Sequence, residues 1–274
     1  MKRKRSVLMP VYAVLILVFL YAPILVLVVY SFNAANSTAQ LHGFSLKWYR
    51  ELFHDAATLD AFRNTMILAV SSSLISGVLG TVSAVGIFKM KNKWVKNVTR
   101  GVTNIPMMNP DIVTGISMML LFVFAGRMLG RTGVLGFPTM LIAHITFCLP
   151  YVILSVLPKL RQTDVNLSEA AQDLGCTPIQ SFFKVVLPAI LPGVLTGVMI
   201  AFTLSLDDFV ISYFVSGPTS QTLPIRIFAM TKKRVTPDMY ALSTIMFFAI
   251  LFLLIIINYI QMRGEKKQIE KVKY

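Results

Sequence analysis

Apolar residues along this chain occur in long continuous segments rather than in the alternating pattern of soluble strands. Six of these segments reach about 20 residues or more, the length that an α-helix needs to cross the hydrocarbon core of a bilayer. They lie at about residues 7–32, 64–88, 101–125, 137–157, 189–214 and 240–262. The pattern therefore predicts an all-α, polytopic helical membrane protein with six transmembrane helices.

The composition supports this class and argues against a nucleic-acid-binding protein. Hydrophobic residues make up 55% of the 274 positions and charged residues only 14%, whereas a soluble domain has about 25% charged residues. The formal net charge is +14, but Lys and Arg gather at the ends of the apolar segments and do not alternate with aromatic residues. We therefore expect no nucleic-acid partner. The spacing of Cys148 and Cys176 indicates no disulfide, and no metal-ligand spacing or cofactor motif is present.

The distribution of basic residues predicts the orientation of the helices. With a cytoplasmic N-terminus, 17 of the 26 Lys and Arg residues lie on the cytoplasmic side, so the positive-inside rule places both termini in the cytoplasm. The cluster Lys232-Lys233-Arg234 is an exception on the outer side. The basic start could also belong to a signal peptide cleaved near Ala39. Because the following apolar run exceeds the length of a signal peptide, a retained first helix is predicted.

A polar loop between the fourth and fifth apolar segments carries two amphipathic helix patterns. Asn166 with Glu169 three residues later, and Thr177 with Gln180, are candidate reciprocal caps, and Gly175 is a candidate stop between them. The apolar residues of each pattern share one helix face: Leu167, Ala170, Ala171 and Leu174, then Ile179, Phe182, Phe183 and Val186. Two short helices joined by a glycine turn are predicted. Their apolar faces need a partner protein, the lipid surface or the protein's own bundle to dock against.

Three acidic residues, Asp111, Asp207 and Asp208, lie inside apolar segments. An unpaired charge near the bilayer centre costs about 2.5 kcal/mol or considerably more, so such residues normally face a bundle interior or a water-filled path. A path for a cation is the leading hypothesis, and the alternative is that these acids cap helix ends, as Asp111 after Pro110 could. Because adjacent helical residues point about 100° apart, one of Asp207 and Asp208 is expected to line the path and the other to be structural or to meet a partner.

The chain lacks the motifs of an enzyme. It contains no G-x-x-x-x-G-K-[ST] nucleotide-binding loop, and His42, His54 and His144 are scattered along the sequence. His144 is expected to form a hydrogen bond between helices. The protein is therefore predicted not to be an enzyme, and if it takes part in an ATP-driven process, ATP hydrolysis must belong to a separate subunit. An integral membrane enzyme and a structural membrane anchor are rival hypotheses, which the absent catalytic set and the capped helix pair disfavour.

Two groups of motifs resemble known families. Glu169-Ala-Ala, three further residues, Gly175 and a following Leu-Pro are similar to the EAA loop of permease subunits of ATP-binding-cassette (ABC) importers, the coupling helix that sits in a groove on the ATPase. Four further segments resemble spermidine/putrescine permeases of the PotC type. These are MMNPDIV at 107–113, HITFCLP at 144–150, FTLSLDD at 202–208, and SGP followed by TLPIRIF within 216–228.

The resemblance implies a type I importer permease with a MetI-like membrane domain, which forms a path for polyamines (spermidine or putrescine) together with a second permease. The implied partners are a cytoplasmic ABC ATPase dimer, the second permease, an extracytoplasmic polyamine-binding protein and the lipid bilayer of a bacterial inner membrane. The implied site residues are Glu169, Ala170, Ala171 and Gly175 for ATPase coupling, and Asp111, Asp207 and Asp208 for the substrate pathway. A permease for ferric iron, sulfate or molybdate is the alternative, although acids in the spans disfavour anions.

The expected domain organisation follows from these segments. Residues 1–62 would hold the first transmembrane helix and an external loop, residues 63–262 the permease domain, and residues 263–274 a cytoplasmic tail. The coupling loop, at 158–188, would lie on the cytoplasmic side, where ATP is available.

Overall fold

The computed structural model of the protein describes residues 8–35, 40, 42–164, 166–233 and 237–272. The basic N-terminal residues 2–5, Ala39 and Arg234 lie outside the described residues. The helices are α1 (Leu8–Ser31), α2 (Lys47–Leu52), α3 (Ala56–Lys89), α4 (Lys93–Met108), α5 (Asp111–Met128), α6 (Phe137–Gln162), α7 (Asn166–Asp173), α8 (Pro178–Ser181), α9 (Leu187–Asp207), α10 (Val210–Val215), α11 (Leu223–Lys233) and α12 (Pro237–Val272), with a π-helical turn at Phe182–Val186.

Within these described ranges, six helical stretches are long and apolar enough to cross a membrane. They are Pro10–Ser31, Ala56–Lys89, Asp111–Met128, Phe137–Gln162, Pro178–Asp207 and Pro237–Ile256. The predicted all-α fold with six transmembrane helices is therefore confirmed. The second span begins eight residues earlier than predicted, at Ala56, and the fourth ends five residues later, at Gln162. The third and fifth spans differ in ways that have a clear local cause.

The third span begins later than its apolar segment. The pattern predicts one helix over 101–125, but the chain is extended at Asn109 (ψ 139°) and Pro110, and the span starts at Asp111. The cause is local, because a proline disfavours the helical conformation in the residue before it. Residues 93–108 form the separate amphipathic helix α4, with Trp94 and Ile105 among its exposed apolar residues.

The fifth span begins earlier and ends earlier than predicted. The pattern predicts a separate short helix over 178–186 and a span over 189–214, but α8, the π turn and α9 run without interruption from Pro178 to Asp207. Pro188 lacks the N–H for a helical hydrogen bond, and the wider π turn before it keeps the chain helical. The second helix of the polar loop and the fifth span are therefore one continuous element.

Two compact units can be distinguished in the chain: residues 1–59 with 226–252, and residues 60–225 with 253–274. In the first unit, the turn after α1 is organised around Asn33. The indole N–H of Trp48 donates to the Asn33 carbonyl (2.7 Å), and the Asn33 side-chain oxygen accepts the His42 N–H (2.8 Å). The same unit contains an ion pair between Asp55 and Arg226 (3.0 Å).

The core of the second unit lies mainly between α6 and α9. Val152, Val156 and Ile190 are fully buried there. Gly197 allows the two backbones to approach closely, because a Cβ at this position would lie 3.0 Å from the Cα of Val152. Small residues at helix contacts are the usual means of close packing in membranes. This contact fixes α9 against α6 and thereby places the polar residues at the C-terminal end of α9.

Candidate functional site

Helix α9 ends at Asp207, and the chain is extended at Asp208 (ψ 123°) before α10 begins at Val210. This interruption at residues 208–209 is called the second break. The Asp208 carboxylate accepts hydrogen bonds from the backbone N–H groups of Ser212 (2.8 Å) and Ile211 (3.3 Å). Asp208 therefore caps the first turn of α10, where an acidic side chain is stabilised by unpaired backbone donors.

The imidazole of His144 connects the two sides of the second break. Its Nδ1 lies 2.7 Å from Ser205 Oγ in the last part of α9, and its Nε2 lies 2.9 Å from Ser212 Oγ in α10. Nε2 is also 3.4 Å from Asp208 Oδ2. Ser72 of α3 donates a hydrogen bond to Ser205 Oγ (2.9 Å). These five residues, called the His144 cluster, link α3, α6, α9 and α10.

The His144 cluster is buried within the second unit. The His144 side chain has no exposed surface, and the Asp208 side chain is 10% exposed. A buried carboxylate is costly unless it is paired and hydrogen-bonded, and Asp208 has both the imidazole and two backbone N–H groups as partners. Asp208 thus has the surroundings of a structural residue, and His144 forms the hydrogen bonds between helices that the sequence predicts.

Asp207 and Asp111 have the opposite environment, because both are exposed. Asp207 is the last residue of α9. Asp111 is the first residue of α5, directly after the interruption at Asn109 and Pro110, which is called the first break. Each break therefore places one exposed carboxylate at a helix end.

The two breaks lie at the same level within the second unit. Helices α5 and α10 pack together, and a Cβ on Gly115 of α5 would lie 3.4 Å from the Cα of Ile211 in α10. In an alternating six-span topology, α5 and the α9–α10 segment run in the same direction, since the returning span α6 lies between them. Asp111 precedes Gly115 by about one turn, and Asp207 precedes Ile211 by the same number of residues. The two exposed carboxylates therefore lie near the same end of the contact between α5 and α10.

Each break also presents the C-terminal end of a helix, α4 at the first break and α9 at the second. The last carbonyl groups of a helix have no partners within it, and that end carries a partial negative charge. Interrupted helices near the membrane midplane commonly supply ion and substrate sites in transporters. Two helix C-termini and two exposed carboxylates at one level suit the transient binding of a cation.

The polar loop contains the predicted glycine turn. Gly175 has a positive φ of +89°, which favours glycine. The Gly175 N–H donates to Gln172 O (2.9 Å), and the Cys176 N–H donates to Ala171 O (3.1 Å). This pair of bonds is the Schellman pattern that ends a helix at a glycine. The predicted stop at Gly175 is confirmed.

One of the two predicted caps in the polar loop is confirmed and the other is wrong. Thr177 and Gln180 cap each other, because the Gln180 N–H donates to Thr177 Oγ1 (3.3 Å) and the Thr177 N–H to Gln180 Oε1 (3.1 Å). Asn166 is not a cap but the first residue of α7, and Asp164 Oδ1 accepts its N–H (3.0 Å). Asp is as good a capping residue as Asn and lies two residues earlier, so it displaces Asn166 from that role.

Helices α7 and α8 are joined through two serines. The Ser181 hydroxyl is buried, donates to Ser168 O (3.1 Å) and lies 3.0 Å from Ser168 Oγ. Of the predicted apolar face of α7, Ala171 is buried, whereas the other members point outward. The outward residues form what is called the loop surface: Leu167, Glu169, Ala170, Leu174, Ile179 and Phe183. An exposed surface of this kind, with Leu174 87% exposed, is typical of a docking site.

Behind the polar loop, a cavity of about 260 Å³ is bounded by the loop and by the ends of α3 and α6. Phe88 of α3, Leu160 of α6 and Phe182 of the loop contribute apolar walls, and Lys89 and Glu169 contribute charged groups. The loop therefore stands next to the ends of two spans. A displacement of the loop can be transmitted to both.

The serine hydroxyls of the His144 cluster are the residues of the candidate site that sequence reasoning misses. Ser72, Ser205 and Ser212 are small polar residues inside apolar segments, and such residues are common at helix contacts of every kind. A usable signal is the pair Ser205 and Ser212, which flank the two acids on both sides. The pairing with His144 depends on helix packing and has no local sequence mark.

Comparison with known proteins gives consistent results. A family model described as "Binding-protein-dependent transport system inner membrane component" matches residues 76–267. The chain is 38% identical over 260 residues to the putrescine transport system permease protein PotI of Escherichia coli (strain K12), covering 93% of this chain and 91% of the relative. It is 37% identical over 228 residues to the spermidine/putrescine transport system permease protein PotC of the same strain, covering 83% and 84%.

Solved structures share the fold. A bacterial ABC transporter involved in the import of the acidic polysaccharide alginate aligns with a TM-score of 0.73 at 18% identity, covering 92% of both chains. The methionine ABC transporter MetNI, in an inward-facing conformation, aligns with a TM-score of 0.53 at 17% identity, covering 77% of this chain and 96% of that one. These likenesses show the architecture of an ABC importer permease.

Proposed function

This chain belongs to the family of binding-protein-dependent transport system inner membrane components, and from that premise we propose that it is a permease subunit of an ATP-driven ABC importer for polyamines. As a member of that family it is a transport permease, a multi-pass protein of the bacterial inner membrane and not an enzyme. A second permease would complete the translocation path. The substrate class follows the names of the relatives, spermidine and putrescine.

The substrate proposal rests on two exposed carboxylates, Asp111 at the first break and Asp207 at the second. The two breaks are brought near each other by the contact between α5 and α10. A polyamine carries several positive charges separated by short alkyl chains and must shed water to cross. A few acidic groups and helix C-termini can replace part of that hydration, whereas a very tight site would trap the solute. Asp207 is assigned to the path, and Asp208 to the support of the break.

The loop surface is assigned to the ATPase. It combines exposed apolar side chains with Glu169 in the first turn of α7, and Gly175 sets the angle between α7 and α8. The ATPase would form a cytoplasmic dimer, and a polyamine-binding protein on the outer side would deliver the substrate.

The continuous helix from Pro178 to Asp207 supports a direct mechanism of coupling. It joins the loop surface to the second break through 30 residues of unbroken helix, which is roughly 45 Å at 1.5 Å per residue. A movement of the loop when the ATPases close would therefore be carried to Asp207 as the movement of one rigid element. Tilting of this span would then open the substrate path to one side of the membrane and close it to the other.

Reconstitution tests the substrate class. The complex of both permeases, the ATPase and the binding protein is placed in vesicles, and ATP-dependent uptake of radiolabelled spermidine, putrescine and sulfate is measured. We expect uptake of a polyamine and none of sulfate. The variants Asp207→Asn and Asp111→Asn should lower polyamine uptake while the complex still assembles with its ATPase. Normal polyamine uptake in Asp207→Asn, Asp208→Asn and Asp111→Asn alike would show that these acids do not form a cation path and would leave only the general assignment as an importer permease.

The orientation has its own test. Both termini are proposed to be cytoplasmic, which places positions 92 and 268 inside and positions 40 and 220 outside. Single cysteines at these positions are labelled with an impermeant thiol reagent in intact cells. Labelling at 40 and 220 alone is expected, and labelling at 92 from outside would reverse the orientation.

A further inference from the structure

We propose that His144 is a positioning residue for transport, because it holds the second break open and thereby presents Asp207 to the substrate path. The inference rests on the proposed function, since it takes Asp207 as a path residue. It adds a role for a residue that lies outside the path.

No proline or glycine forces the second break. The segment from Ser205 to Ser212 contains neither proline nor glycine, so the helix of α9 could continue through Asp208 without a steric conflict. The chain nevertheless leaves the helical conformation at Asp208, with ψ 123°. The cap that Asp208 provides for Ile211 and Ser212 favours this conformation locally, and the contacts of His144 on both sides of the break add to it.

His144 supplies those contacts with both ring nitrogens. One nitrogen holds Ser205 before the break, and the other holds Ser212 after it, with Asp208 also 3.4 Å from the second nitrogen. The ring is fully buried and in edge contact with Phe147 of its own helix, so its orientation is fixed. A buried side chain with both nitrogens engaged acts as a clamp across the interruption.

The exposure of Asp207 depends on this clamp. Residues three and four positions apart on a helix are neighbours on its surface. If α9 continued through the break, Val210 and Ile211 would follow Asp207 on the same face and surround the carboxylate with apolar side chains. The break removes this apolar turn from the surface next to Asp207.

The test measures the position of residue 207 directly. A cysteine is placed at 207 or, in a separate protein, at 111, in a background with Cys148→Ala and Cys176→Ser. The complex is reconstituted, and the rate of modification of this chain by a cationic thiol reagent is followed by mass spectrometry. Each rate is measured with His144 intact, with His144→Phe, which keeps a ring but removes both nitrogens, and with the control Thr146→Val. The Thr146 hydroxyl bonds only the carbonyl of Ile142 in its own helix.

We expect His144→Phe to lower the rate at 207 by about threefold or more, the scale of a lost buried hydrogen bond, and to leave the rate at 111 nearly unchanged; a higher rate at 207 would overturn the inference. Thr146→Val should change neither rate. A general loss of folding would instead alter both positions. Transport gives a second measure: His144→Phe should reduce uptake about tenfold or more in the unaltered background, but much less in an Asp208→Asn background, because coupled residues are not additive.

The outcomes separate the two proposals. If 207 is modified equally fast with and without His144→Phe, this inference is overturned and the path assignment stands. If 207 is not modified at all with His144 intact, the path assignment fails and this inference fails with it. If His144→Phe does not reach the membrane, Ser212→Ala replaces it, because it removes one partner of the ring and leaves the ring in place. Equal rates at 207 in Ser212→Ala and the intact protein would then overturn the inference.

Discussion

The first and second breaks have the same geometry but different origins. At the first break, Pro110 disfavours the helical conformation of Asn109, so the interruption is encoded within two residues. At the second break no proline or glycine is present, and the extended Asp208 is held by His144 and by the backbone of α10. A break that a proline makes needs no partner, whereas a break without one depends on buried contacts that come from other helices.

The largest expected effect follows from removing the acid at each break. Asp208→Ala takes the cap from α10 and leaves the buried backbone N–H groups of Ile211 and Ser212 without their acceptor, so the free energy of unfolding should fall by about 1–3 kcal/mol. Asp111→Ala removes an exposed acid from a helix start and should cost about 0.3–1 kcal/mol. Denaturant unfolding of both variants in detergent gives the comparison. Equal losses would contradict the different origins of the breaks.

Removing the proline at the first break should affect transport more than stability. Pro110→Ala relieves a constraint of about 3 kcal/mol against a continuous helix, so α4 and α5 should join and Asp111 should be turned away from its present position. We expect polyamine uptake to fall about tenfold, on the order of 1.4 kcal/mol, without a loss of thermal stability. Pro106→Ala is the control, because Pro106 lies inside α4 and interrupts nothing. Unchanged uptake in Pro110→Ala would show that the first break is not required.

The glycine turn of the polar loop is locally encoded in the same way as the first break. Gly175→Val places a β-branched residue at a positive φ of +89°, which costs about 1–2 kcal/mol and changes the angle between α7 and α8. Gly175→Asn is the matched control, because asparagine tolerates this conformation better than other residues. We expect Gly175→Val, and also Glu169→Lys, to reach the membrane but to lose the ATPase or its stimulation by substrate. Co-purification at the normal ratio, with stimulated hydrolysis intact, would show that this loop is not the coupling element.

The smallest effect is expected for the ion pair between Asp55 and Arg226, which is more exposed than the contact between His144 and Asp208. A hydrogen bond from Thr58 lowers the pKa of Asp55, burial opposes this, and Arg226 lowers the pKa further. Because the folded pKa is below the unfolded value, the stabilisation is present above about pH 4 and is lost as the pH falls through the folded pKa.

The two side chains of this pair are 37% and 29% exposed, so its contribution should be at most about 1 kcal/mol. Asp55→Asn should lower the melting temperature slightly at pH 7, and the difference from the unaltered protein should shrink as the pH falls below about 4. Glu51→Gln is the control, since Glu51 belongs to a more exposed pair with Lys47. A difference between Asp55→Asn and the unaltered protein that is the same at every pH below about 4 as at pH 7 would assign the effect to packing rather than charge.

The sequence alone determines those features of this protein that depend on neighbouring residues. Long apolar segments specify six spans, because a helix must be apolar over the thickness of the bilayer wherever it packs. The turn at Gly175 and the reciprocal cap of Thr177 and Gln180 are also predictable, since each requires only a few adjacent residues. The break at Pro110 could have been predicted by the same rule, although the length of the apolar segment concealed it.

Only the tertiary structure decides what Asp207 and Asp208 do. The two residues are chemically identical and adjacent, so the sequence can state that their roles differ but cannot assign them. The assignment depends on His144, 64 positions before Asp208 in the chain, whose ring reaches the second break because α6 and α9 pack closely. Asp208 is 10% exposed at its side chain and contacts His144, whereas Asp207 is exposed at the end of α9, and on this difference the proposal assigns support of the break to Asp208 and the path to Asp207. Such differences between neighbouring side chains arise from contacts between distant segments, and local sequence does not contain them.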